Sequence, residues 1–303
     1  MQLPPQFDVA CRRVRRLSLP LVWVCGLSAC AVAPATPEPV NADRPETLWA
    51  VTADHQLLQF KAIQPRVVVS QKPLQGLAAG EVILGMDYRV ARGVLYALGS
   101  SGHLYTVDTA QARLQRVSPQ PLNVSADRAY GVDFNPVVDR IRVIDETGRN
   151  LRVHPDAGAQ VDGDPVRPGV QDDGALHRVG AGLPQPRVAG MAYTYNTRDD
   201  KLTTGYAIDM AQGSLVTLGS AEGVTPVVSP NGGALITVGP LGLGPLRQVS
   251  FDISDVRNVA LAALTTYTDA RSRLYQIDLS TGRATLLGTI GQGQALRGVA
   301  IEP

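Results

Sequence analysis

The sequence predicts an all-β fold, a β-propeller of about five four-stranded blades, on three observations. A hairpin motif recurs at residues 104–117, 205–218 and 274–287, and an internal repeat of this kind decides the fold class. From residue 48 onward helical periodicity is nearly absent, while short runs of period two are common. The two ends of the chain carry complementary parts of one repeat unit.

The repeat unit begins with a small residue followed by alternating apolar positions. This first strand occurs at residues 85–88, 131–134, 190–193, 249–253 and 298–302. A second strand follows at residues 94–99, 140–144 and 259–264, and the recurring hairpin comes next. One unit therefore supplies about four strands, the size of a propeller blade.

The chain ends provide the missing halves of one blade. Residues 48–60 form a second and third strand without a first strand before them, and residues 296–302 form a first strand with no partner after it. Joined in space they close a ring, which leaves no sheet edge unpaired. Six blades are the alternative, because residues 220–247 fit no repeated element. A parallel-stranded solenoid is less favoured, since its ends need not complement each other.

Composition excludes one large class of function. The chain has 303 residues, of which 44% are hydrophobic, and a formal net charge of +1. Four Arg lie within residues 1–30, so the remainder is slightly acidic. A nucleic-acid-binding protein needs a basic stripe that displaces counterions, and no such stripe exists here.

The N-terminal segment is typical of an export signal. "RRVRR" at 12–16 precedes the apolar "LSLPLVWVCGLSAC" at 17–30, and its last four residues resemble the lipobox of bacterial lipoproteins. We expect a signal peptide over residues 1–29, a lipid attached to Cys30, a Pro-rich tether over 30–46 and a propeller over 47–303. Ala31 resembles the pattern that sorts lipoproteins to the outer membrane, which predicts a location facing the periplasm.

Motifs for catalysis and metal binding are absent from the sequence. Cys30 would be the single cysteine of the mature chain, which excludes an internal disulfide and a thiolate metal site. The zinc-protease, nucleophile-elbow, phosphate-loop and EF-hand patterns do not occur. The sequence therefore predicts no catalytic residue and no cofactor.

The middle of the chain carries a family resemblance. "YGVDFNPVVDRIRVIDETGRNLRVHPDAG" at 130–158, together with "VDGD", "RVAGMAYT" and "LYQIDLSTGRATLLGTIG", resembles the bacterial family called domain of unknown function 4394. The resemblance covers about residues 46–303. It implies a propeller-like fold and a secreted or envelope location, and it supplies no activity and no site residues.

The hairpin at residues 140–154 is the most informative candidate site. A three-residue turn at 146–148 places the aliphatic residues on one face and pairs Arg142 with Arg152, and Arg140 with His154, on the other. Because like charges face each other, an acidic partner is expected, with Asp87 and Asp133 as candidates. An Arg–Asp network between blades is favoured, and a site for a carboxylate or phosphate is the alternative.

Other aspartates have simpler explanations. Asp108, Asp209 and Asp278 precede turns and are expected to accept hydrogen bonds from turn amides. Asp87, Asp133 and Asp252 recur on first strands, where backbone capping is favoured over a ring around a central channel. The long connection at residues 155–187 contains five Asp; a solvated loop is favoured there, with calcium binding as the alternative.

Two classes of function follow from the sequence. The favoured one is a non-catalytic envelope lipoprotein, held to the membrane by its lipid, whose propeller presents a face to an envelope protein or a small anionic ligand. The alternative is a periplasmic propeller enzyme, a hydrolase or lyase that uses Asp, His and Arg at the channel mouth. Paired carboxylates within reach of a substrate would favour the enzyme.

Overall fold

Both ends of the chain contribute to the first sheet. In this computed structural model Gln2 and residues 43–303 other than 181 and 256 are described, so the predicted signal peptide, Cys30 and most of the tether lie outside the described residues. Blade 1 contains β1 (Thr47–Thr52), β2 (Gln56–Lys61), β3 (Val68–Pro73) and the last strand, β21 (Leu296–Ile301), in the order β21-β1-β2-β3.

Four further sheets follow in chain order. Blade 2 contains β4 (Ile83–Arg89), β5 (Val94–Gly99), β6 (Leu104–Asp108) and β7 (Arg113–Arg116). Blade 3 contains β8 (Tyr130–Asn135), β9 (Arg140–Asp145), β10 (Asn150–Val153) and β11 (Gln160–Val161).

Blade 4 contains β13 (Val188–Tyr193), β14 (Gly205–Asp209), β15 (Ser214–Leu218), β16 (Ala234–Pro240) and a short parallel strand, β12 (His177–Arg178), at its outer edge. Blade 5 contains β17 (Leu246–Ile253), β18 (Ala260–Thr266), β19 (Arg273–Ile277) and β20 (Ala284–Thr289). Single 3-10 turns occur at Val90–Arg92 and Pro230–Gly232.

The arrangement confirms the predicted five-bladed propeller and its closure. β1 pairs antiparallel with β21, with Leu48 opposite Ile301 and Ala50 opposite Val299. The segment that suggested a sixth blade supplies β16, the fourth strand of blade 4. No helix within the described residues has the length and apolar character to cross a membrane.

Local predictions for the hairpins are also confirmed. β9 and β10 pair Val143 with Leu151 and Arg142 with Arg152, and Gly148 occupies the left-handed region at φ +97°. The carboxylates of Asp108, Asp209 and Asp278 each accept a hydrogen bond from an amide two or three residues later in the turn, at 2.8–3.0 Å.

The hydrophobic core lies between neighbouring blades. Blades 2 and 3, for example, share a cluster in which the rings of Tyr96 and Phe134 meet edge to face, 5.2 Å apart. Close to the axis the inner strands approach each other more tightly. A Cβ on Gly131 would lie 2.6 Å from the backbone nitrogen of Met191, and a Cβ on Gly85 would lie 2.5 Å from Cγ2 of Val132. The small residue that opens each repeat therefore permits the ring to close around a narrow axis.

Candidate functional site

The inner strands of the five blades surround a central channel. β21 packs against β4, β4 against β8, β8 against β13, β13 against β17, and β17 against β21. The small residues of the repeat lie along this channel, and four of its five positions are glycine: Gly85, Gly131, Gly190, Ser250 and Gly298. Because these residues leave almost no free volume, the channel is narrow at mid-depth and its chemistry lies at the two ends.

One end, called the acid end, is formed by Asp87, Asp133 and Asp252. They occupy equivalent positions on β4, β8 and β17, two residues after the small residue of each repeat. All three side chains are buried, and one carboxylate oxygen from each lies within 4.8 Å of the others. The three aspartates therefore meet around the channel, and they also accept hydrogen bonds from backbone amides, so the two interpretations drawn from the sequence are compatible.

Each carboxylate of the acid end accepts a hydrogen bond from a backbone amide of the neighbouring blade. Asp87 Oδ2 accepts a hydrogen bond from the amide of Phe134 at 2.7 Å, and Asp133 Oδ1 accepts one from Tyr193 at 2.9 Å. Asp252 Oδ2 accepts from Ile301 at 2.5 Å. The bonds link blade 2 to 3, blade 3 to 4 and blade 5 to 1, so the carboxyls join adjacent inner strands where no ladder of backbone hydrogen bonds runs.

Burial and mutual repulsion disfavour the ionised forms at the acid end. Burial raises the pKa of Asp252 to about 7. It also raises the pKa of Asp87 and of Asp133 well above the ordinary range, and the charge of a neighbouring carboxylate adds to the effect in each case. Carboxylate oxygens at this separation suit either shared protons or a hard divalent cation, and either would relieve the repulsion.

The space at the acid end is very small. The carboxyls, Tyr88 and Tyr195 border a cavity of about 10 Å³, roughly the room that one water molecule occupies. The phenol of Tyr195 has a raised pKa, because it is largely buried and lies close to the carboxylates. A substrate with several heavy atoms cannot reach these groups.

The opposite end, called the arginine end, is open. A recess of about 220 Å³ lies where the inner strands begin, and its wall includes Tyr130, Ser250 and three arginines, Arg128, Arg247 and Arg297. A fourth, Arg187, directly precedes β13. Four of the five blades thus place an arginine at or just before the start of the inner strand.

The four arginines differ in their partners. Arg128 pairs with Asp145 at 3.0 Å, and Arg187 pairs with Glu146 at 2.5 Å. Within residues 43–303, as far as they are described, neither Arg247 nor Arg297 forms an ion pair. The Nε atom of Arg297 is buried and has no hydrogen-bond acceptor among the described groups.

Arg142 and Arg152, predicted as site residues, lie away from the channel ends in a buried network. Nη1 of Arg142 donates to Oδ2 of Asp173 at 2.6 Å, and Nε and Nη2 of Arg152 donate to the two oxygens of the same carboxylate at 2.8 and 2.7 Å. Arg142 also donates to Tyr193 and Asn231 of blade 4. The network therefore joins blades 3 and 4. The prediction that Asp87 or Asp133 would be its acidic member is wrong, because Asp173 fills that position and Asp87 and Asp133 lie at the acid end.

Arg140 and His154 do not join this network. Arg140 donates to the backbone carbonyls of Val138 and Asp139. Nδ1 of His154 is buried and has no hydrogen-bond partner among the described residues. The six predicted site residues thus separate into the pair Arg142–Arg152, the pair Asp87–Asp133 and two residues that stand apart.

The aspartates of residues 155–187 are engaged by arginines or by backbone. Asp156 pairs with Arg89 at 2.5 Å and Asp172 with Arg149 at 2.9 Å. Asp164 pairs with Arg167, Asp173 belongs to the network above, and Asp162 accepts from the amides of residues 164 and 171. These carboxylates face donors, which is a different environment from the cluster of oxygens that calcium requires.

Sequence reasoning missed the arginine end. Arg128, Arg187 and Arg247 each stand three residues before the small residue of their repeat, at Gly131, Gly190 and Ser250. Alignment of the repeat units by that small residue would have revealed the recurring arginine. Arg297 directly precedes Gly298 and departs from this spacing.

The comparisons with known proteins concern the family and the fold. The sequence model of the family described as Domain of unknown function (DUF4394) matches residues 56–300. No curated protein matches the chain.

Two solved structures are among those similar to the chain. A chain from the crystal structure of a nidogen/laminin complex is 14% identical, with a TM-score of 0.47 and coverage of 85% of this chain and 98% of that one. A structural genomics protein of unknown function from Bacteroides thetaiotaomicron is 13% identical, with a TM-score of 0.44 and coverage of 85% and 64%. At this identity and TM-score neither informs the function of the chain.

Proposed function

Because the chain belongs to the DUF4394 family, whose description names no activity, we infer its function from the channel. We propose that it is an exported, lipid-anchored, non-catalytic propeller that binds a small ligand at the arginine end. One observation carries the proposal: the channel closes on three buried carboxyls at one end and opens into a recess of about 220 Å³ at the other.

The positions of the carboxyl groups favour binding over catalysis. General acid–base catalysis needs a carboxyl within hydrogen-bond reach of a substrate. The side chains of the acid end are only 4–6% exposed, in a space for a single water. At the arginine end, Glu146 forms an ion pair with Arg187 and accepts a hydrogen bond from the amide of Ala129. Asp127 accepts a hydrogen bond from the hydroxyl of Ser125. The alternative of a hydrolase or lyase is therefore disfavoured.

The proposed anchor is supported by the sequence. The arginine cluster at 12–16, the apolar run at 17–30 and the lipobox-like Leu27–Cys30 fit a lipid on Cys30, in the outer membrane facing the periplasm. A Cys30→Ser variant should be released from membranes or stall unprocessed. Normal processing together with unchanged membrane partition would exclude the anchor.

The binding proposal is tested by filling the recess. Ala126 lies exposed on its rim, so Ala126→Trp should block entry without disturbing the core. Ala91→Trp, at an exposed position in the turn Val90–Arg92 after β4, is the matched control. A thermal-shift screen of small metabolites with the full chain should give compounds that stabilise the parent and Ala91→Trp and fail on Ala126→Trp. If the compounds fail to stabilise Ala91→Trp but still stabilise Ala126→Trp, the ligand does not enter at the arginine end.

A further inference from the structure

We infer that the ligand of the arginine end is a small anion that carries a carboxylate or a phosphate, and that Arg297 and Arg247 bind it. This inference rests on the proposed function and specifies the chemistry of the same recess. It depends on the partners of the arginines, on their position around the channel and on the size of the recess.

The first step concerns Arg297. This residue lies on β21, and its Nε group is enclosed by protein but meets no acceptor among the described residues. A buried donor of a charged group without an acceptor is unfavourable, and such groups in folded proteins normally have a partner. Arg297 borders an open recess, where a ligand oxygen can bind its terminal Nη groups, and Nε becomes reachable when the side chain turns towards the ligand.

The second step concerns the balance of charge. Of the acidic side chains that border the recess, Glu146 is neutralised by Arg187, and Asp127 is fully exposed at the rim. Arg128 is matched by Asp145. Arg247 and Arg297 therefore form no ion pair with a described residue, whereas Arg142 and Arg152 enclose the carboxylate of Asp173.

The third step concerns the class of ligand. A guanidinium group offers donors in a planar fork that matches the oxygens of a carboxylate or phosphate. The recess, at about 220 Å³, is smaller than the sites that hold drug-sized molecules, which occupy about 300–1,000 Å³. The two unmatched arginines stand on β17 and β21, adjacent inner strands, so a compact anion placed over the channel can meet both.

The test measures the melting temperature of the full chain in phosphate and in citrate, with chloride added to keep the ionic strength constant. At an anion concentration about ten times Kd, the parent should gain about 3–6 °C. Arg297→Gln should weaken the affinity for both anions about tenfold or more, because it removes the charge and the planar fork. Arg297→Lys, which keeps the charge, should recover part of the loss.

Two further variants keep the test decisive. Arg247→Gln changes an exposed residue, so it tests the site even if the Arg297 variants do not fold. Arg283→Gln, at an exposed position beside β20 that does not border the recess, should respond as the parent does. The inference is overturned if neither anion stabilises the parent, or if Arg283→Gln loses the response as much as Arg247→Gln. Stabilisation of the parent only by uncharged compounds that Ala126→Trp excludes would preserve the proposed function and overturn this inference.

Discussion

The acid end of the channel and the Arg142–Asp173–Arg152 network differ in how their buried like charges are compensated. Both bring like charges together in a buried place. In the network a single carboxylate lies between two guanidinium groups, at 2.6–2.8 Å from each. At the acid end three carboxyls from three blades meet, and within the described residues no cation faces them. The difference shows that the negative charge of buried carboxyls can be compensated by protons or by a bound species where no side chain of the protein supplies a positive charge.

Removal of β21 should have the largest effect, because this strand serves both ends of the channel. It carries Arg297, and its Ile301 amide donates to Asp252. A chain that lacks residues 296–303 leaves β1 with an unpaired edge, so we expect aggregation or loss of the whole cooperative transition. Circular dichroism melts measure this, with removal of residue 303 alone as the control. A truncated chain that melts like the parent would show that ring closure contributes little.

Loss of Asp173 should have the next largest effect. In Asp173→Asn the guanidinium of Arg142, only 3% exposed, loses its buried counter-charge, which should cost about 3–5 kcal/mol in the free energy of unfolding. Asp172→Asn is the matched control, because its partner Arg149 is partly exposed and the pair contributes about 1 kcal/mol or less. Urea titration measures both. Equal costs for the two variants would remove the distinction between the network and an ordinary surface pair.

The acid end should respond to pH in the opposite sense to a salt-bridged carboxylate. The pKa of Asp252 is raised from its ordinary value near 4 to about 7, so between these values the folded state binds more protons than the unfolded state. Stability should therefore fall by about 2–4 kcal/mol as the pH rises from 4 to 8. Asp252→Asn keeps an oxygen for the Ile301 amide and should reduce this dependence, as measured by urea titration at each pH.

Two outcomes would change this interpretation. If the parent and Asp252→Asn show the same slope of stability against pH, Asp252 does not titrate as its burial implies. If calcium added at pH 8 restores the stability of the parent and leaves Asp252→Asn unchanged, a cation rather than a proton compensates the three charges.

Exposed charge pairs should give the smallest effects. The pair between Arg167 and Asp164 lies largely in solvent, so Arg167→Gln should change the free energy of unfolding by about 1 kcal/mol or less, and less still at high salt. A loss as large as that of Asp173→Asn would mean that position in the fold, rather than burial, decides the contribution of a charge.

The sequence predicts more of the fold than of the site, for a physical reason. Strand period, turn residues and the incomplete ends are local patterns, and they were sufficient for five blades, for closure and for the register of Arg142 opposite Arg152. The partner of that pair was beyond reach, because Asp173 comes from a segment without periodicity whose path depends on tertiary contacts. The aspartates of the acid end were visible as a repeated position. Their close approach depends on the packing of inner strands that share no hydrogen-bonded ladder.

The pairing of β1 with β21 also sets an order in time. The side chains of Trp49 and Glu302 are hydrogen-bonded although they lie 253 positions apart in the sequence, so blade 1 cannot be completed until β21 has been synthesised. Contacts of such long sequence separation form slowly, because the entropy of a large loop must be lost first. Until then β1, β2 and β3 form a sheet whose β1 edge is open, and incomplete chains of this kind are prone to aggregate. The first strands of the propeller are thus synthesised long before β21, the strand that completes their sheet.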